Sequence, residues 1–412
     1  MAQTNRKITI VGLNYAPEPT GIAPYTTGLA QGLASQKWDV RVVTSFPHYP
    51  AWQIAEGYSG RRMTEKIEGV VVTRLRPFMP KNPSGVARLL FELNFGLKSI
   101  LTRWDKPEIV ILVSPALFSV AIALVKARLS PQRPRVLIWV QDLYGLGVTE
   151  TGALGGAGGR LMSAVESRLL RHADAVVAIH DRFKRHMVSR LGVRGERVSV
   201  VRNWTHLAPM LVDRDVYREK FGWGDEVVVL HAGNMGAKQA LDNVVDAAIL
   251  AETTNANVRF VLLGNGNQRE KIQSLGRHAK RLQFMDSLSD HDFLGALAAA
   301  DILLVNEKPG VTEMAVPSKL TSYFASRRPV IAATDAGSIT AEEIEAAGAG
   351  VRVDAGDPAA LVKAAVDLGA DRVRAKRFGE NGALFQEKVL STNGAISHYA
   401  EILNSLAGKG GR

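Results

Sequence analysis

The chain has 412 residues, of which 46% are hydrophobic and 22% are charged, so it can build sizeable cores and a wholly disordered chain is excluded. Cysteine is absent, which excludes disulfides, thiolate metal sites and a cysteine nucleophile, and fits a reducing compartment. The net charge of +11 is concentrated in residues 1–200, where 27 Lys and Arg face 14 Asp and Glu. Such an excess favours an anionic partner: nucleic acid, a membrane surface or a phosphorylated substrate.

In the first half of the chain, short apolar runs alternate with longer helical patterns. The expected strands are 7–13, 39–45, 70–75, 108–114, 135–142, 173–180 and 198–203, with helices over 21–36, 116–129, 160–171 and 181–191. Several strands are apolar throughout, as in a parallel sheet covered by helices on both faces. The N-terminal residues lack the apolar core of a signal peptide, and no apolar run is long enough to span a membrane.

The same alternation starts again after residue 203, which predicts a second doubly wound unit. Its expected strands are 227–233, 258–264, 282–287, 301–306, 329–334 and 350–354, with helices over 216–221, 240–251, 268–275, 290–299, 318–326, 340–347 and 357–368. We therefore expect an N-terminal domain over 1–203 and a C-terminal domain over 204–388. A last helix at about 389–407 is expected to pack back on the first domain, followed by a flexible tail over 408–412. Two such domains would place a ligand in a cleft between the carboxyl ends of their sheets.

Two turns between a strand and a helix have the composition of an anion site. In residues 12–26, prolines lead to Gly21 and a helix start, where a phosphate or sugar could approach the backbone; an ordinary Pro/Gly loop is the alternative. In the second half, Gly233 and Asn234 precede Lys238, which would supply a point charge to a diphosphate; the alternative is a solvated lysine. Neither GxGxxG nor a Walker motif occurs in these turns, which argues against a dehydrogenase or a P-loop enzyme.

Two further segments of the second half are candidates of the same kind. Gly264 and Asn265 form a tight turn, which by itself is weak evidence of a site. In residues 307–333, Glu313 could accept hydrogen bonds from sugar hydroxyls, Ser318 could cap the next helix, and Lys319 could face a phosphate. The alternative for this segment is a routine helix cap with solvated charges.

In the first half, Asp142 follows a buried strand and could accept a hydroxyl proton or hold a substrate hydroxyl, or could simply cap the next turn. The aromatic loop 46–52 could stack on a sugar face, with His48 either a contact or a loop histidine. Residues 85–104 form an amphipathic helix with basic residues, typical of a membrane-surface helix and also of a core helix. The two DxD triplets, 213–215 and 290–292, lie at helix starts and are interpreted as caps.

Nearly the whole chain resembles the retaining GT-B glycosyltransferases of family 4, close to the bacterial exopolysaccharide and O-antigen group with colanic-acid-type fucosyl- and N-acetylfucosaminyltransferases. The resemblance rests on the segments NYAPEPTGIAPYT, VVTSFPHYPAW, WVQDLYGLGVTETGAL, VVRNW, HAGNMGAKQAL and VPSKLTSYFASRRPVIAA. It implies an α/β protein with two Rossmann-like, doubly wound parallel-sheet domains facing a central cleft. It also implies a metal-independent hexosyltransferase without a cofactor, with a UDP-sugar or GDP-sugar donor on the second domain and the acceptor on the first.

The resemblance also assigns residues to roles. Catalytic roles fall to Asp142, Lys238 and Glu313, and acceptor contacts to His48, Tyr49 and Tyr144. Donor contacts fall to Thr20, Gly21, Gly233, Asn234, Lys238, Gly264, Asn265, Leu288, Glu313, Pro317, Ser318, Lys319 and Ser322. Two positions depart from the family pattern: Asn234 stands where many members have an arginine, and Ser322 where a glutamate usually binds the ribose. Lys238 would then carry more of the charge on the diphosphate.

The leading hypothesis is therefore transfer of a sugar to a membrane-linked glycan or lipid acceptor in cell-surface polysaccharide biosynthesis. The expected partners are a lipid-diphosphate-linked glycan and an anionic membrane surface, with the protein cytoplasmic and peripheral on the inner face. Nucleic acid is not expected, because no reading motif accompanies the basic residues. Two alternatives stay open: a glycosyltransferase with a soluble small-molecule acceptor, and an inactive nucleotide-sugar-binding protein.

Overall fold

The chain folds into two compact units, as seen in a computed structural model that describes residues 6–19, 21–49, 51–80, 85–143, 145, 156–205, 212–311 and 318–408. Unit 1 contains Met1–His206 and Thr392–Arg412, and unit 2 contains Leu207–Ser391. The division lies three residues beyond the boundaries expected from the sequence, at 206/207 instead of 203/204.

Unit 1 is built on an eight-stranded sheet. Its strands are β1 (Lys7–Val11), β2 (Asp39–Ser45), β3 (Arg62–Ile67), β4 (Val70–Leu75), β5 (Ile109–Ser114), β6 (Arg135–Val140), β7 (Ala175–Ala178) and β8 (Val198–Val200), in the spatial order β3-β4-β2-β1-β5-β6-β7-β8. All neighbouring strands are parallel except β3, which is antiparallel to β4 at the sheet edge. The central strand β5 is buried at every residue because helices cover both faces of the sheet.

The helices of unit 1 that precede unit 2 are α1 (Ala23–Ser35), α2 (Gly85–Leu101), α3 (Leu117–Leu129), α4 (Gly156–His172) and α5 (Asp181–Ser189). Helices α2 and α3 pack closely because Gly96 has no side chain: a Cβ there would lie 2.9 Å from Ile122. Helix α5 begins at His180, whose Nδ1 accepts the amide of Arg182 at 3.1 Å. His180 is therefore a structural residue, the N-cap of α5.

Unit 2 has a six-stranded, wholly parallel sheet. Its strands are β9 (Val227–Ala232), β10 (Val258–Leu263), β11 (Leu282–Met285), β12 (Ile302–Asn306), β13 (Val330–Ala333) and β14 (Gly350–Val353), in the order β11-β10-β9-β12-β13-β14. This is the strand order of the doubly wound Rossmann sheet. On β9, Val228 and Leu230 pack into the core on one face and Val229 into the core on the other, which explains why the strand is apolar throughout.

The helices of unit 2 are α6 (Arg214–Phe221), α7 (Asp242–Thr253), α8 (Arg269–Gly276), α9 (Asp290–Ala299), α10 (Lys319–Ala325), α11 (Ile339–Ala347), α12 (Pro358–Ala370) and α13 (Arg372–Val389). The carboxylate of Asp213 accepts backbone amides at the start of α6, and Ser289 does the same for α9. Both DxD triplets thus lie at helix starts, as expected, but only Asp213 is a cap. Helix α9 is capped by Ser289, and Asp292 instead accepts a hydrogen bond from the Lys220 ammonium at 2.6 Å.

The last helix, α14 (Thr392–Gly408), belongs to unit 1 and packs on α1. A Cβ on Gly32 of α1 would lie only 2.7 Å from Ile396 of α14, so this close contact requires glycine. Tyr399 packs edge-on against Trp139 and Trp204, with ring centroids 5.3 and 6.3 Å away. Residues 409–412, which contain most of the tail expected to be flexible, lie outside the described residues.

The expected fold class is confirmed: both units are doubly wound α/β sheets, and every strand predicted from the sequence is present. Two elements were missed, namely β3 and α13, and both are largely exposed. Several strand boundaries also differ by a few residues; the one that matters for the site is β6, which ends at Val140 and leaves Asp142 two residues beyond the strand. Among the described residues, no helix combines the length and the apolar character needed to cross a membrane.

Candidate functional site

Two glycine turns lie side by side at the carboxyl edge of the sheet of unit 2. Gly233 follows β9 and Gly264 follows β10, with φ angles of 135° and 126°. A Cβ on Gly264 would lie 2.2 Å from the carbonyl oxygen of Gly233, so no side chain fits at this contact. The amide of Met235 donates to the carbonyl of Asn265 at 2.8 Å and ties the two turns together. Because β9 is the strand at which the strand order reverses, ligands of open α/β sheets bind at this edge.

Lys238 lies in a short 3₁₀ turn, Ala237–Gln239, just beyond the first glycine turn, and its side chain is half-buried. Asn306, the last residue of β12, is buried and donates from Nδ2 to the carbonyl oxygens of Gln239 and Ala240 at 2.8 and 3.1 Å. Asn243 in turn donates to Oδ1 of Asn306 at 2.8 Å. The end of β12 therefore fixes the backbone on which Lys238 is carried.

A second cation, Lys319, reaches the same glycine turn from the start of α10. Its Nζ lies 3.8 Å from the position that a Cβ on Gly233 would take. Its ammonium is 3.3 Å from Nε2 of His231, a fully buried residue of β9. Burial lowers the pKa of His231 well below its usual value, so the imidazole is neutral and accepts the hydrogen bond. Burial also lowers the pKa of Lys319 to about 8, against the opposing effect of the Glu307 carboxylate.

The other donor residues predicted from the sequence fall in different settings. Asn234 and Asn265 are exposed in the two glycine turns, Leu288 packs against the core, and Ser322 is buried in α10. The prediction that Ser318 caps α10 is wrong: its side chain makes no capping bond, and its carbonyl instead accepts the Thr321 hydroxyl at 2.7 Å. Thr20, Glu313 and Pro317 lie outside the described residues.

In unit 1, a cavity of about 220 Å³ lies at the corresponding edge, where β1, β2 and β5 end. It is lined by Leu13, Asn14, Gly21, Ile22, His48, Tyr49, Trp52, Arg88, Phe91, Glu92, Val113, Ser114, Pro115 and Ala116. Strand order reverses at β1, so this cavity also occupies a switch point of its sheet. Gly21 has a φ of 68°, and Tyr49 lies 3.2 Å from where a Cβ on Gly21 would be, so an aromatic ring already covers this glycine.

A buried glutamate, Glu18, joins the two loops that form one wall of this cavity. Its Oε1 accepts the backbone amides of His48 and Tyr49, both at 2.8 Å, and its Oε2 accepts Nδ2 of Asn14 at 2.9 Å. Nδ1 of His48 donates to the carbonyl of Phe46 at 2.9 Å. His48 and Tyr49 are therefore brought together with the cavity, and Glu18 is the residue that holds them there.

A second buried glutamate, Glu92 of α2, lines the same cavity with only 1% of its surface exposed. Its Oε2 accepts the amide of Phe118 at the start of α3 at 3.3 Å, and Nε of Arg88 is 3.6 Å from Oε1. Burial raises the pKa of Glu92 to about 7, although Arg88 and the Phe118 amide oppose the shift.

Asp142 has a structural contact of its own at the end of β6. Its carboxylate accepts the amide of Leu143 at 2.9 Å, as expected for a residue that stabilises a turn. The preceding residue, Gln141, is buried and exchanges two amide hydrogen bonds with Asn203, at 2.9 and 3.2 Å. Tyr144 lies outside the described residues. Within the described ranges, no group of three or more His, Asp or Glu residues comes together in a way that could hold a metal ion.

Known proteins match this chain over both units. Residues 20–204 match the family model of the glycosyl transferase 4-like domain, and residues 226–371 match that of the glycosyl transferases group 1. The Escherichia coli protein WcaI, which is named as a colanic acid biosynthesis glycosyl transferase, is 33% identical over 337 residues. That match covers 77% of this chain and 81% of WcaI. The chain belongs to the family 4 glycosyltransferases.

Solved structures agree with this family on the fold. Sucrose-phosphate synthase from Thermosynechococcus elongatus superposes with a TM-score of 0.74 at 15% identity, over 98% of this chain and all of that one. HepE from Anabaena, solved in complex with UDP-glucose, gives a TM-score of 0.67 at 15% identity, over 97% of this chain and 99% of that one. This glycosyltransferase therefore has the GT-B architecture.

Sequence reasoning missed the buried polar residues of this glycosyltransferase. Glu18 and Asn306 fix loops, Glu92 lines the cavity of unit 1, and His231 contacts Lys319. Glu18 and His231 stand in segments that carry the family resemblance, but those segments did not single them out. Only Asn306 had a signal in its position, as a polar residue at the end of a buried strand.

Proposed function

We propose that this glycosyltransferase binds the diphosphate of a nucleotide-sugar at the glycine turns of unit 2, using Lys238 and Lys319. The observation that carries the proposal is the approach of Lys319 to Gly233, beside the turn that bears Lys238. Asn234 itself is uncharged, so Lys319 supplies the cation beside Gly233. The open backbone of Gly233 and Gly264 lets a phosphate come close to main-chain donors. The donor in the HepE complex is UDP-glucose, which supports a nucleotide-sugar as the substrate class.

We also propose that the reaction retains the anomeric configuration and needs no metal. The bond between the sugar C1 and the diphosphate oxygen breaks, and the acceptor hydroxyl forms its bond to C1 on the same face. The hydroxyl proton passes to an oxygen of the departing phosphate. Lys238 and Lys319 stabilise the negative charge that grows on this leaving group, in place of a divalent cation. Glu313 contacts the hydroxyls of the transferred sugar, and Asp142 holds the acceptor hydroxyl in place.

The donor proposal is tested with a panel of UDP-, GDP- and dTDP-sugars. We expect one donor to raise the melting temperature and to release its nucleotide in the presence of EDTA. Lys238→Ala should reduce the rise in melting temperature and the release of nucleotide at least tenfold. Lys271→Ala, which removes an exposed lysine of α8, should change neither quantity. If no donor binds, or if Lys238→Ala transfers as the wild type does, the proposed site is wrong. The anomeric configuration of the product, read by NMR, tests retention.

The acceptor is proposed to be a membrane-linked glycan or lipid, because α2 exposes an apolar strip. Val86, Leu90, Leu97 and Leu101 are 70, 49, 53 and 85% exposed, whereas the opposite side of the helix buries Phe91 and Phe95. The helix lies in the half of the chain that carries the basic excess. An amphipathic helix of this composition binds the interface of an anionic membrane. The protein would thus work at the membrane surface in cell-surface polysaccharide biosynthesis, the process for which WcaI is named.

Vesicle sedimentation tests the membrane proposal. We expect binding to vesicles with anionic lipid and little binding to phosphatidylcholine alone, with loss of binding in Leu97→Gln/Leu101→Gln. Val373→Gln is the matched control, because Val373 is 82% exposed in unit 2. If both variants sediment equally with the vesicles, the apolar strip of α2 does not bind the membrane. If the wild type does not bind the vesicles, a soluble acceptor is favoured.

A further inference from the structure

The cavity of unit 1 combines an aromatic wall with a few polar groups. Trp52 and Phe91 have ring centroids 5.5 Å apart, and both line the cavity. Trp52 has a φ of 54°, a conformation that bulky residues rarely adopt, and the surrounding aromatic contacts hold it there. Asn14, His48 and Glu92 supply the polar atoms. Mostly apolar cavities with a few fixed polar groups are the usual form of small-molecule sites.

Glu92 has a free acceptor position at this cavity. Its Oε1 is buried and makes no hydrogen bond within the part of the chain that the structure describes. Capping of α3 uses only Oε2, so the structural role leaves Oε1 without a function. The neighbour of Oε1 is Arg88, 3.6 Å away, a lining residue whose side chain is 45% exposed. An incoming ligand can therefore reach Oε1 by displacing a surface side chain instead of core residues.

The same groups decide the chemical class of the ligand. A buried carboxyl disfavours an anion, so a phosphate or diphosphate does not suit this cavity. An aromatic wall suits the apolar face of a ring, and a carboxylate oxygen without a hydrogen bond suits a hydroxyl donor. A neutral pyranose has both features. Burial raises the pKa of Glu92 to about 7, so near neutral pH the group can either accept or donate a hydrogen bond to such a hydroxyl.

We infer that this cavity is the subsite for a pyranose ring of the acceptor, with the ring against Trp52 and a hydroxyl bound to Oε1 of Glu92. The identification of the bound sugar as the acceptor rests on the proposed glycosyl transfer. The binding of a sugar in this cavity does not. Glu92 is a substrate-binding residue, and Glu18 positions the His48–Tyr49 wall through its two backbone hydrogen bonds.

The experiment measures binding of simple sugars to the full chain without any nucleotide. Methyl α-D-glucopyranoside, methyl α-D-galactopyranoside and methyl α-L-fucopyranoside are titrated by saturation-transfer-difference NMR. At least one should bind the wild type, and Glu92→Gln should weaken it at least fivefold, because the uncharged amide loses the charge-assisted hydrogen bond while it keeps the cap on α3. Glu68→Gln, an exposed glutamate of the β3–β4 turn, is the matched control and should bind as the wild type does.

A second measurement does not depend on how a variant folds. In wild-type protein labelled with ¹³C at the Glu side-chain carboxyls, the sugar that binds should shift the Glu92 resonance, which is assigned from its absence in Glu92→Gln. If no glycoside binds, or if Glu92→Gln binds as tightly as the wild type, the inference is overturned. If no nucleotide-sugar of the panel binds, but a glycoside binds in a way that depends on Glu92, the proposed function is wrong and the sugar subsite remains supported.

Discussion

The ammonium of Lys319 and the imidazole of His231 form a hydrogen bond 3.3 Å long at the glycine turn of unit 2. Since His231 is neutral, it orients the cation without neutralising it. Among the described residues, Lys319 makes no ion pair within 4.0 Å, and the low polarity around it favours the uncharged amine. The site thus holds a lysine whose charge is incompletely satisfied until an anion arrives.

Binding of UDP should therefore be accompanied by proton uptake. With a pKa of about 8, about half of Lys319 is neutral at pH 8, and a bound diphosphate raises the pKa toward its ordinary value. We expect uptake of about half a proton at pH 8 and almost none at pH 6.5. Isothermal titration calorimetry in two buffers with different ionisation enthalpies measures it. In Lys319→Arg the side chain is always charged, so uptake should disappear while UDP still binds; undiminished uptake there would contradict the assignment.

Glu92→Gln should change the pH dependence of stability. Since the pKa is raised in the folded state from 4.5 to about 7, the unfolded chain ionises first, and the wild type loses stability as pH rises through this window. The Gln variant has no such loss. Its free energy of unfolding, relative to the wild type, should increase by about 3 kcal/mol between pH 4.5 and pH 8.

Urea denaturation of unit 1, followed by tryptophan fluorescence, measures this difference. Glu68→Gln is the control, because its exposed side chain should give the same free-energy difference from the wild type at both pH values. A difference between Glu92→Gln and the wild type that stays constant with pH would show that Glu92 ionises normally.

Gly264→Ala should damage both the fold and the donor site of unit 2. The new Cβ would meet the Gly233 carbonyl at 2.2 Å and would sit on a backbone with positive φ, so the two turns must separate. We expect a loss of about 2–4 kcal/mol in the free energy of unfolding, and loss of UDP binding. Gly337→Ala is the matched control, because a Cβ there meets nothing within 4 Å. If Gly264→Ala bound UDP with the affinity of the wild type, the two glycine turns would not be part of the donor site.

Asn306→Ala should weaken UDP binding through Lys238. The substitution removes the two hydrogen bonds that hold the turn carrying Lys238, so the ammonium loses its fixed position. We expect about a tenfold increase in Kd, equivalent to about 1.4 kcal/mol. The control is Asn381→Ala, which removes one hydrogen bond to Gly348 elsewhere in unit 2. If both variants bind UDP equally well, Asn306 does not position the lysine.

The sequence predicts the parallel strands well because burial on both faces makes them continuously apolar, as in β5 and β9. Strand β3 and helix α13 escape the same reasoning, since exposed elements carry no strong apolar period. Lys238 and Lys319 could be found because glycine turns and strand ends mark the edge of a sheet. Glu18 and Glu92 could not, because a glutamate in a loop or on a helix is normally solvated, and only tertiary packing shows that these two are buried.

The return of α14 to unit 1 has a consequence for the order in which the chain acquires its structure. Trp139 and Trp204 pack against Tyr399, so unit 1 buries these rings fully only after α14 has left the ribosome, which is later than all of unit 2. Unit 2, which is encoded as one uninterrupted stretch, has all of its strands earlier. During synthesis, unit 2 can thus reach its native state before unit 1. The aromatic rings of unit 1 stay exposed until α14 packs on them.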